Sequence, residues 1–577
     1  MGKASWGAAL GWLFCLLTGK VYAQGLPAAT QNAQELQRQQ QREQELRQKL
    51  QVQPDIRLPV PDEEASQSRL PVEETPCFKI ERISLKGELS ERFQWALTAA
   101  NQRSQGQSDP ALGRCLGSNG INQVMRRIQN AVIQRGYVTT RVLAEPQNLS
   151  SGELSLTLIP GRVREIRLSP DSNPRANLFN ALPISAGDLL NLRDLEQALE
   201  NLKRVPTVQT DIKIVPASSP QALLGESDLV ITWQQTMPFR FNLAVDDSGS
   251  KATGKYQANF TLSYDHWWTL NDLFYVTLGR DLHNASPGKA RGTQSWSAHY
   301  SIPWGYWQWA VNASEFNYRQ TVVGSSQNYL YRGSSRQLDL RLSRLLYRDA
   351  TSKTTFTLKG WTRASRNFID DTEVEVQRRR TAGWEASMSQ RLFMGAATLD
   401  ANLAYRRGTG AQQALPAPEE AFGEGTSRMK LWQSEIQYQQ PFSLSGQRWR
   451  YSTQWRAQWN RTPLVPQDRF SIGGRYTVRG FDGENVLSAE RGVLIRNDLA
   501  WFIGPLSAEL YWGVDYGQVS GPSAALLSGQ HLMGTALGMR GQIQSLSYDL
   551  FIGEPVKKPR SFQTPATVTG FNLNWAF

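Results

Sequence analysis

Residues 546–553 read LSYDLFIG and residues 571–577 read FNLNWAF. In the first stretch Leu546, Tyr548, Leu550 and Ile552 alternate with Ser547, Asp549, Phe551 and Gly553; in the second, Phe571, Leu573, Trp575 and Phe577 alternate with Asn572, Asn574 and Ala576. A period of two marks a strand with one apolar face and one polar face. The pattern is already present at 239–246, where Phe239, Phe241, Leu243 and Val245 alternate with Arg240, Asn242, Ala244 and Asp246. From Thr236 onward, segments of about ten residues with this texture recur between clusters of Gly, Asn, Asp, Ser and Pro, and helical periodicity nearly vanishes.

A soluble sandwich also alternates, so three further observations decide the class. Of 19 tryptophans, 15 follow residue 236, many of them near strand ends (Trp267, Trp268, Trp304, Trp307, Trp501, Trp575), as interfacial aromatic girdles require. An aromatic, Phe577, closes the last amphipathic strand. Segmentation gives about sixteen strands, an even number suited to a closed barrel that leaves no backbone edge unsatisfied in lipid. The expected fold is an all-β transmembrane barrel over 236–577, antiparallel, preceded by smaller α+β modules.

The chain has 577 residues, 63 basic and 51 acidic side chains and a net charge of +12, with a mean hydropathy of −0.46. Its one long apolar run, Trp6 to Leu17, falls short of the ~20 residues a membrane helix needs, which excludes a helical membrane protein. Preceded by Lys3 and followed by Val21-Tyr22-Ala23, that run reads as a secretory signal peptide over 1–23. Export places the chain where disulfides persist, and once Cys15 departs with the signal, Cys77 and Cys115 are the remaining pair. Two unpaired thiols are the less favoured alternative. Neither cysteine has a ligand-spaced Cys or His neighbour, so no metal site is expected.

Between signal and barrel lie four units. Residues 24–51 contain AQELQRQQQREQELRQKLQ, rich in helix formers and free of Gly and Pro, which predicts an uninterrupted helix of about 33 Å. Leu36, Leu46 and Leu50 are too few for a core-packing stripe, so the helix is either free in solvent or enclosed in a polar cavity. Residues 52–76 carry Pro54, Pro59, Pro61, Pro71 and Pro76 and read as an extended linker. Two modules of one plan follow, at 77–160 and 161–235. Each opens on a strand pattern (Phe78, Ile80, Ile83, Leu85; then Val163 to Leu168), passes through an amphipathic helix (Ile121 to Gln134; Leu192 to Arg204) and closes on two strands.

A long insertion in the barrel, 461–488, contains DRFSIGGRYTVRGFDGE. Its glycines, Gly473, Gly474, Gly480 and Gly483, permit tight folding, and Arg479 is a planar cation suited to a carboxylate. In the strand SAELYWGVDYG, Leu506, Ala508, Leu510, Trp512 and Val514 occupy the apolar face, so Asp515, Glu509 and Tyr511 point into the lumen. A loop folded inward would pair Arg479 with Asp515, and Arg496 and Asp498 share the interior parity of the next strand. A partly buried pair of this kind is weak evidence of net stability and better suited to a latch.

These features together resemble the outer-membrane transporters of two-partner secretion, the haemolysin-activator and filamentous-haemagglutinin transporter family, within the superfamily of barrel-assembly insertases. The residues that carry the resemblance are the VRGF motif (Val478, Arg479, Gly480, Phe481), the Cys77-Phe78 pair with Cys115, and the spaced Gly513, Asp515 and Gly517. The family often has Tyr where Phe481 stands, so a role for that hydroxyl is not expected here. The resemblance implies a polar helix that plugs the lumen and two POTRA modules in the periplasm. These would capture a large secreted partner exoprotein with a haemagglutinin-like secretion domain, by strand addition and an apolar groove. It also implies insertion by the barrel-assembly machinery, contact with outer-membrane lipid, a monomer, and transport of the unfolded partner without ATP.

Other classes fit less well. The only histidines, His266, His283, His299 and His531, are scattered, and no HExxH, P-loop or GxSxG motif is present, so no catalytic residue and no cofactor is expected. The basic charge lacks a compact nucleic-acid motif and is assigned to lumen and loops, with no nucleic-acid partner. An insertase of the same superfamily is the alternative, weakened by room for only two POTRA modules and by the plug helix.

Overall fold

The computed structural model describes residues 26–51, 54–60, 69–104, 107–282, 290–504 and 507–577, with side chains in the first helix from Ala33 onward. The expected signal peptide at 1–23 lies outside the described residues, as do Pro61 and Leu506. Sixteen long antiparallel strands, from Phe239–Asp246 to Val568–Ala576, close into a barrel, and a two-residue segment, Thr372–Glu373, extends one hairpin. The seam joins first and last strands in register from Asn242↔Ala576 to Asp246↔Asn572. Closure matters because lipid offers no partner for an open strand edge.

The alternation read from sequence sorts residues between lipid and lumen. Leu243, Leu550, Ile552 and Trp575 are exposed on the outside, whereas Asp246, Tyr275, His299 and Asp515 are buried within. Strands are longer than the ten residues expected, reaching 21 in Asn328–Arg348. Roughly 9–11 tilted residues cross a bilayer, so the longest hairpins stand clear of the membrane, and their outer ends are polar because water surrounds them.

The first α+β module is a three-stranded sheet, ordered Arg82–Lys86, Glu153–Ile159, Arg141–Leu143, covered by the helix Ser118–Gln134. The single strand expected across Phe78 to Leu85 is broken: Phe78–Lys79 pairs with Cys115–Leu116, and Arg82–Lys86 pairs in parallel with Glu153–Thr157. Ile80 between them is fully buried. A further helical stretch over Ser90–Asn101 was not legible from periodicity because it is a short α-turn continued as a 3-10 segment. Cys77 and Cys115 form a disulfide that closes this region. The second module repeats the plan with sheet order Arg162–Leu168, Glu226–Gln235, Val208–Pro216 and the helix Leu192–Lys203. Its core is Val163, Leu190, Leu195, Leu229 and neighbours. The helix patterns at 121–134 and 192–204 therefore match in place, extended by one turn at Ser118 in the first case.

Polar bonds seat the second module on the barrel mouth. Asn180 Nδ2 donates to Leu270 O and Pro303 O, Asn201 Nδ2 to Gly305 O at 2.7 Å, and Arg204 to Ser301 Oγ at 2.8 Å. Arg348 at a strand end pairs with Glu196 and Glu200, each at 2.9 Å, and Lys353 pairs with Glu200 and with Asp55 of the linker. The linker backbone is held in the same network, Ile56 N and Leu58 N donating to Glu200 and Glu196. The 192–203 helix thus reads simultaneously the linker and the barrel.

In the first module Asp109 is buried against the fully buried Arg127 and also pairs with Arg114 at 2.9 Å. Burial alone would raise the Asp109 carboxyl; the bond from Leu70 N and the Arg127 guanidinium outweigh it and hold the carboxyl below its ordinary value. A depressed folded-state pKa stabilises above the unfolded pKa of about 3.9, and that contribution is lost as pH falls through the folded value. Asp109→Ala strands a buried cation, and the expected cost is about 3–5 kcal/mol. Urea titration of the full chain, followed by protease cleavage within 77–160, checks this; an unshifted midpoint would exclude the pair as a support of the module.

Candidate functional site

The segment 461–490 leaves the strand Gln447–Asn460, descends into the lumen and returns to Arg491–Ile503. Within it Phe470–Ile472 and Leu487–Ala489 form a small hairpin, and the tip between them carries Val478, Arg479, Gly480 and Phe481. Phe470, Ile472, Val478, Phe481, Leu487 and Leu494 share one apolar cluster with Val519, Leu532 and Phe562. Phe481 meets Phe562 edge-to-face at 5.7 Å.

Arg479 is 4 % exposed and Asp515 fully buried. The guanidinium donates through Nε to Asp515 Oδ2 at 2.7 Å and through Nη2 to Asp515 Oδ1 at 2.7 Å, a bidentate pair. The same Nη2 reaches Asp498 Oδ1 at 2.6 Å, and the Arg479 backbone N–H donates to Asp515 Oδ2 at 2.9 Å. Arg496 stands at 3.9 Å from Asp515, so it belongs to the network at its margin. Arg540 joins Asp498 (3.3 Å) to Glu509 (2.9 Å), and it stacks over Tyr511 at 4.6 Å. Three strands therefore feed one continuous charge network.

Glycines make room for it. A Cβ on Gly513 would lie 2.4 Å from Arg479 Nη2, and one on Gly517 would lie 2.8 Å from Ile472 Cγ2. Two further wall glycines take part, Gly534, which the sequence did not single out, and Gly553, read there only as a polar-face residue: a Cβ on Gly534 would come within 1.8 Å of Arg479 O, and one on Gly553 within 2.9 Å of Gly480 N. Gly480 itself has φ +93 and presses against Glu554 O, a position that only glycine fills without strain. Gly473 (φ +118) and Gly474 turn the hairpin, their N–H groups donating to Thr477 Oγ1 at 3.0 and 3.1 Å. The signal that could have found Gly534 and Gly553 is their interior parity: small residues at lumen-facing positions of adjacent strands mark where a second backbone lies on the wall.

The helix Leu26–Leu50 runs through the same lumen. Of the two readings left open by its polar surface, enclosure is the one observed. Gln37 Nε2 donates to Pro466 O (3.1 Å) and Arg469 O (3.0 Å), and Ser471 Oγ donates to Gln37 Oε1. Arg38 Nη2 donates to Gly483 O at 2.5 Å, directly on the inward loop. Arg42 bonds Ser248 and Gln257 of the opposite wall, and Gln51 bonds Tyr275. Leu36 alone finds an apolar seat, among Phe316, Tyr318 and Tyr331. Beside the helix remains a polar cavity of about 460 Å³, lined by Gln40, Gln44, Arg341, Lys359, Arg406 and Arg456 among others. Basic side chains outnumber carboxylates in its lining, and Glu385 pairs with Lys359 there at 2.8 Å. Among the described residues no cluster of His, Cys, Asp and Glu could hold a metal ion.

Comparison with known proteins adds the following. A family model described as haemolysin secretion/activation protein ShlB/FhaC/HecB matches residues 225–541. A ShlB-type POTRA domain matches 78–161 and a further POTRA domain 162–216. The outer membrane transporter CdiB-2 of Burkholderia pseudomallei (strain 1026b) is 35% identical over 569 residues, covering 95% of this chain and 95% of the relative. The outer membrane transporter CdiB of Dickeya dadantii (strain 3937) is 29% identical, with 87% of each chain covered. The solved structure of CdiB from Acinetobacter baumannii superposes with a TM-score of 0.79 at 31% identity, covering 94% of this chain and 99% of that one.

The glycine floor yields a direct expectation. Gly534→Ala forces a methyl group into the Arg479 carbonyl, so the inward loop lifts while the strand ladder persists. Single-channel conductance in planar bilayers is expected to rise, and heat-modifiable migration on gels to stay as in the parent protein. Unchanged conductance would show that the loop absorbs the methyl without moving.

Proposed function

The chain belongs to the haemolysin secretion/activation family typified by ShlB, FhaC and HecB, and we propose from this that its plugged barrel is the resting state of an exporter, opened by the polypeptide it exports. It is an outer-membrane transporter of two-partner secretion, with its POTRA domains in the periplasm. The observation that carries the proposal is that the lumen helix is held chiefly by polar bonds, while the inward loop, packed through an apolar cluster, is pinned at its tip by the Arg479 charge network.

The steps follow from that chemistry. An unfolded secretion segment adds to an open POTRA edge, and Val208–Pro216 is the outer strand of the second sheet. Main-chain bonds supply affinity there, and flanking apolar residues supply selectivity. The captured chain then competes for the lumen. Each side-chain hydrogen bond of the helix contributes only about 0.5–1.5 kcal/mol net, and an entering polypeptide offers equivalent donors and acceptors. Exchange of one polar chain for another is therefore close to balanced, and no nucleotide or ion gradient is needed. Loss of the helix removes the Arg38 bond to Gly483, and the loop latch, Arg479 with Asp515 and Asp498, becomes the last barrier. Folding of the partner outside the cell makes the passage directional.

The partner is read as a large exoprotein with a haemagglutinin-like secretion domain. Two POTRA modules and a lumen helix support export over insertion of other barrels. The protein itself is inserted by the barrel-assembly machinery and acts as a monomer. We assign it no catalytic step, no cofactor and no nucleic-acid partner; its charge serves the lumen.

Co-expression with a large exoprotein that carries a haemagglutinin-like secretion domain tests the reading. Arg479→Ala or Asp515→Ala is expected to reduce export into the medium at least tenfold while the heat-modifiable barrel still forms. Deleting residues 24–51 should raise conductance. Normal export by both point variants sinks the latch, and unchanged conductance of the deletion sinks the plug.

A further inference from the structure

The lipid-facing surface is not symmetric between its two ends. The second module seats on the turns around 266–272 and 303–306, so strand ends on that side face the periplasm and the opposite ends face outward. Register then locates each lipid-facing residue in height. Arg280, Gln294, Asn317, Ser334 and Arg366 are successive partners across five strands near the external end. One step further out, Arg319 faces Arg332 directly. One step inward, Leu278, Trp296, Glu315, Arg336, Ala364 and Arg380 form the next row, and below that the face turns apolar with Val311, Leu338 and Leu340, interspersed with the smaller Ala298, Ala313, Gly360, Thr362 and Ala382.

Six arginines thus crown the apolar band on one side of the barrel. Among the described residues of the strands from Leu273 to Met394, Arg344 is the one lipid-facing cation toward the periplasmic end, where it lies over Trp307 at 4.8 Å. The crown is undercompensated. Arg332 pairs with Asp371 at 2.8 Å and Arg336 with Glu315 at 3.2 Å. No carboxylate among the described residues pairs with Arg280, Arg319, Arg366 or Arg380. Like charges directly opposed across two strands are unfavourable, and of the opposed Arg319↔Arg332 pair it is Arg332 that has an ion-pair partner among the described residues, Asp371. Arg332 Nε is buried without a hydrogen-bond partner. It adjoins a cleft of about 520 Å³ whose lining carries four arginines, Arg280, Arg291, Arg319 and Arg332, against two carboxylates, Asp281 and Asp371.

Such a cleft calls for a compact dianion at the height of the outer-leaflet headgroups. Guanidinium groups bind phosphate bidentately, and basic clefts between membrane segments take anionic lipid heads. We propose that this arginine crown is a binding site for the phosphorylated glycolipid of the outer leaflet, whose phosphates enter the cleft while its acyl chains lie on the apolar band beneath. The inference stands independently of the plug and latch.

The test uses the purified full-length mature chain in phosphate-free detergent, with binding of rough lipopolysaccharide bearing two lipid A phosphates read by native mass spectrometry. Expected are retention by the parent protein and an affinity at least tenfold lower for the Arg280→Gln/Arg319→Gln/Arg332→Gln variant. A similar loss is expected when the lipid is dephosphorylated, and parent-like binding for Arg344→Gln. Equal binding by triple variant and parent, or equal binding of phosphorylated and dephosphorylated lipid, overturns the proposal. So does inorganic phosphate bound as tightly as the lipid, which would make the cleft a free-anion site. Heat-modifiable migration monitors assembly. Should the triple variant not assemble, Arg319→Gln carries the test alone, with a threefold loss expected and parent-like binding overturning it.

Discussion

A backbone in hydrocarbon has no water to satisfy its amides, and that constraint shapes the whole molecule. Sixteen strands must close, and closure with alternating side chains produces a lumen as polar as the exterior is apolar. A polar lumen wide enough for a polypeptide cannot be filled by a hydrophobic core. What fills it must be polar too, which is why the occupant is a helix without an apolar stripe and a loop held by charge. The tryptophan surplus and the negative hydropathy are two consequences of the same arrangement: lipid sees every second residue only.

The inward loop divides its support between two kinds of contact. Its apolar cluster around Phe470, Val478 and Leu532 is fixed by burial, whereas Arg479 is fixed by geometry. Desolvating a guanidinium and two carboxylates offsets much of their attraction, so the pair adds little to net stability. Its value is conditional. With both partners present the tip is held in one place; with either removed a buried charge is stranded, and the tip is driven toward water. The wall glycines sharpen this, because Gly513, Gly517, Gly534 and Gly553 leave space that the loop alone fills.

The barrel was legible because period-two alternation is local and repeated, and because Trp and turn clusters mark its ends. The site was legible where one parity rule sufficed: Asp515, Glu509 and Tyr511 had to face inward once Leu510 and Trp512 faced lipid. The helices were legible from their apolar stripes at 121–134 and 192–204, the first beginning a turn earlier in the structure, at Ser118. What stayed hidden is what depends on approach between segments distant in sequence. Gly534 and Gly553 show only their interior parity until a loop lies on them. The polar helix was placed in the lumen by the resemblance and not by its own residues, since several of its partners are backbone carbonyls such as Pro466 O and Gly483 O, which every sequence offers equally. The Ser90–Asn101 stretch was missed because a short α-turn running into 3-10 has no sustained 3.6-residue period. The division of the strand at Ile80 follows from tertiary pairing, since its two halves join different sheets.

Plug and loop are not independent barriers. Gln37 holds the loop's descending arm through Pro466, Arg469 and Ser471, and Arg38 holds its far side through Gly483. The helix therefore braces both flanks of the hairpin whose tip bears Arg479. The linker that continues from the helix is in turn gripped by Glu196 and Glu200, the same carboxylates that engage Arg348 and Lys353 of the barrel. A segment that displaced the linker from the 192–203 helix would free two carboxylates, loosen the tether and release the brace on the loop in one sequence. Lumen helix, linker and second POTRA module are thus each tied to the barrel by polar contacts, any one of them weak enough to exchange.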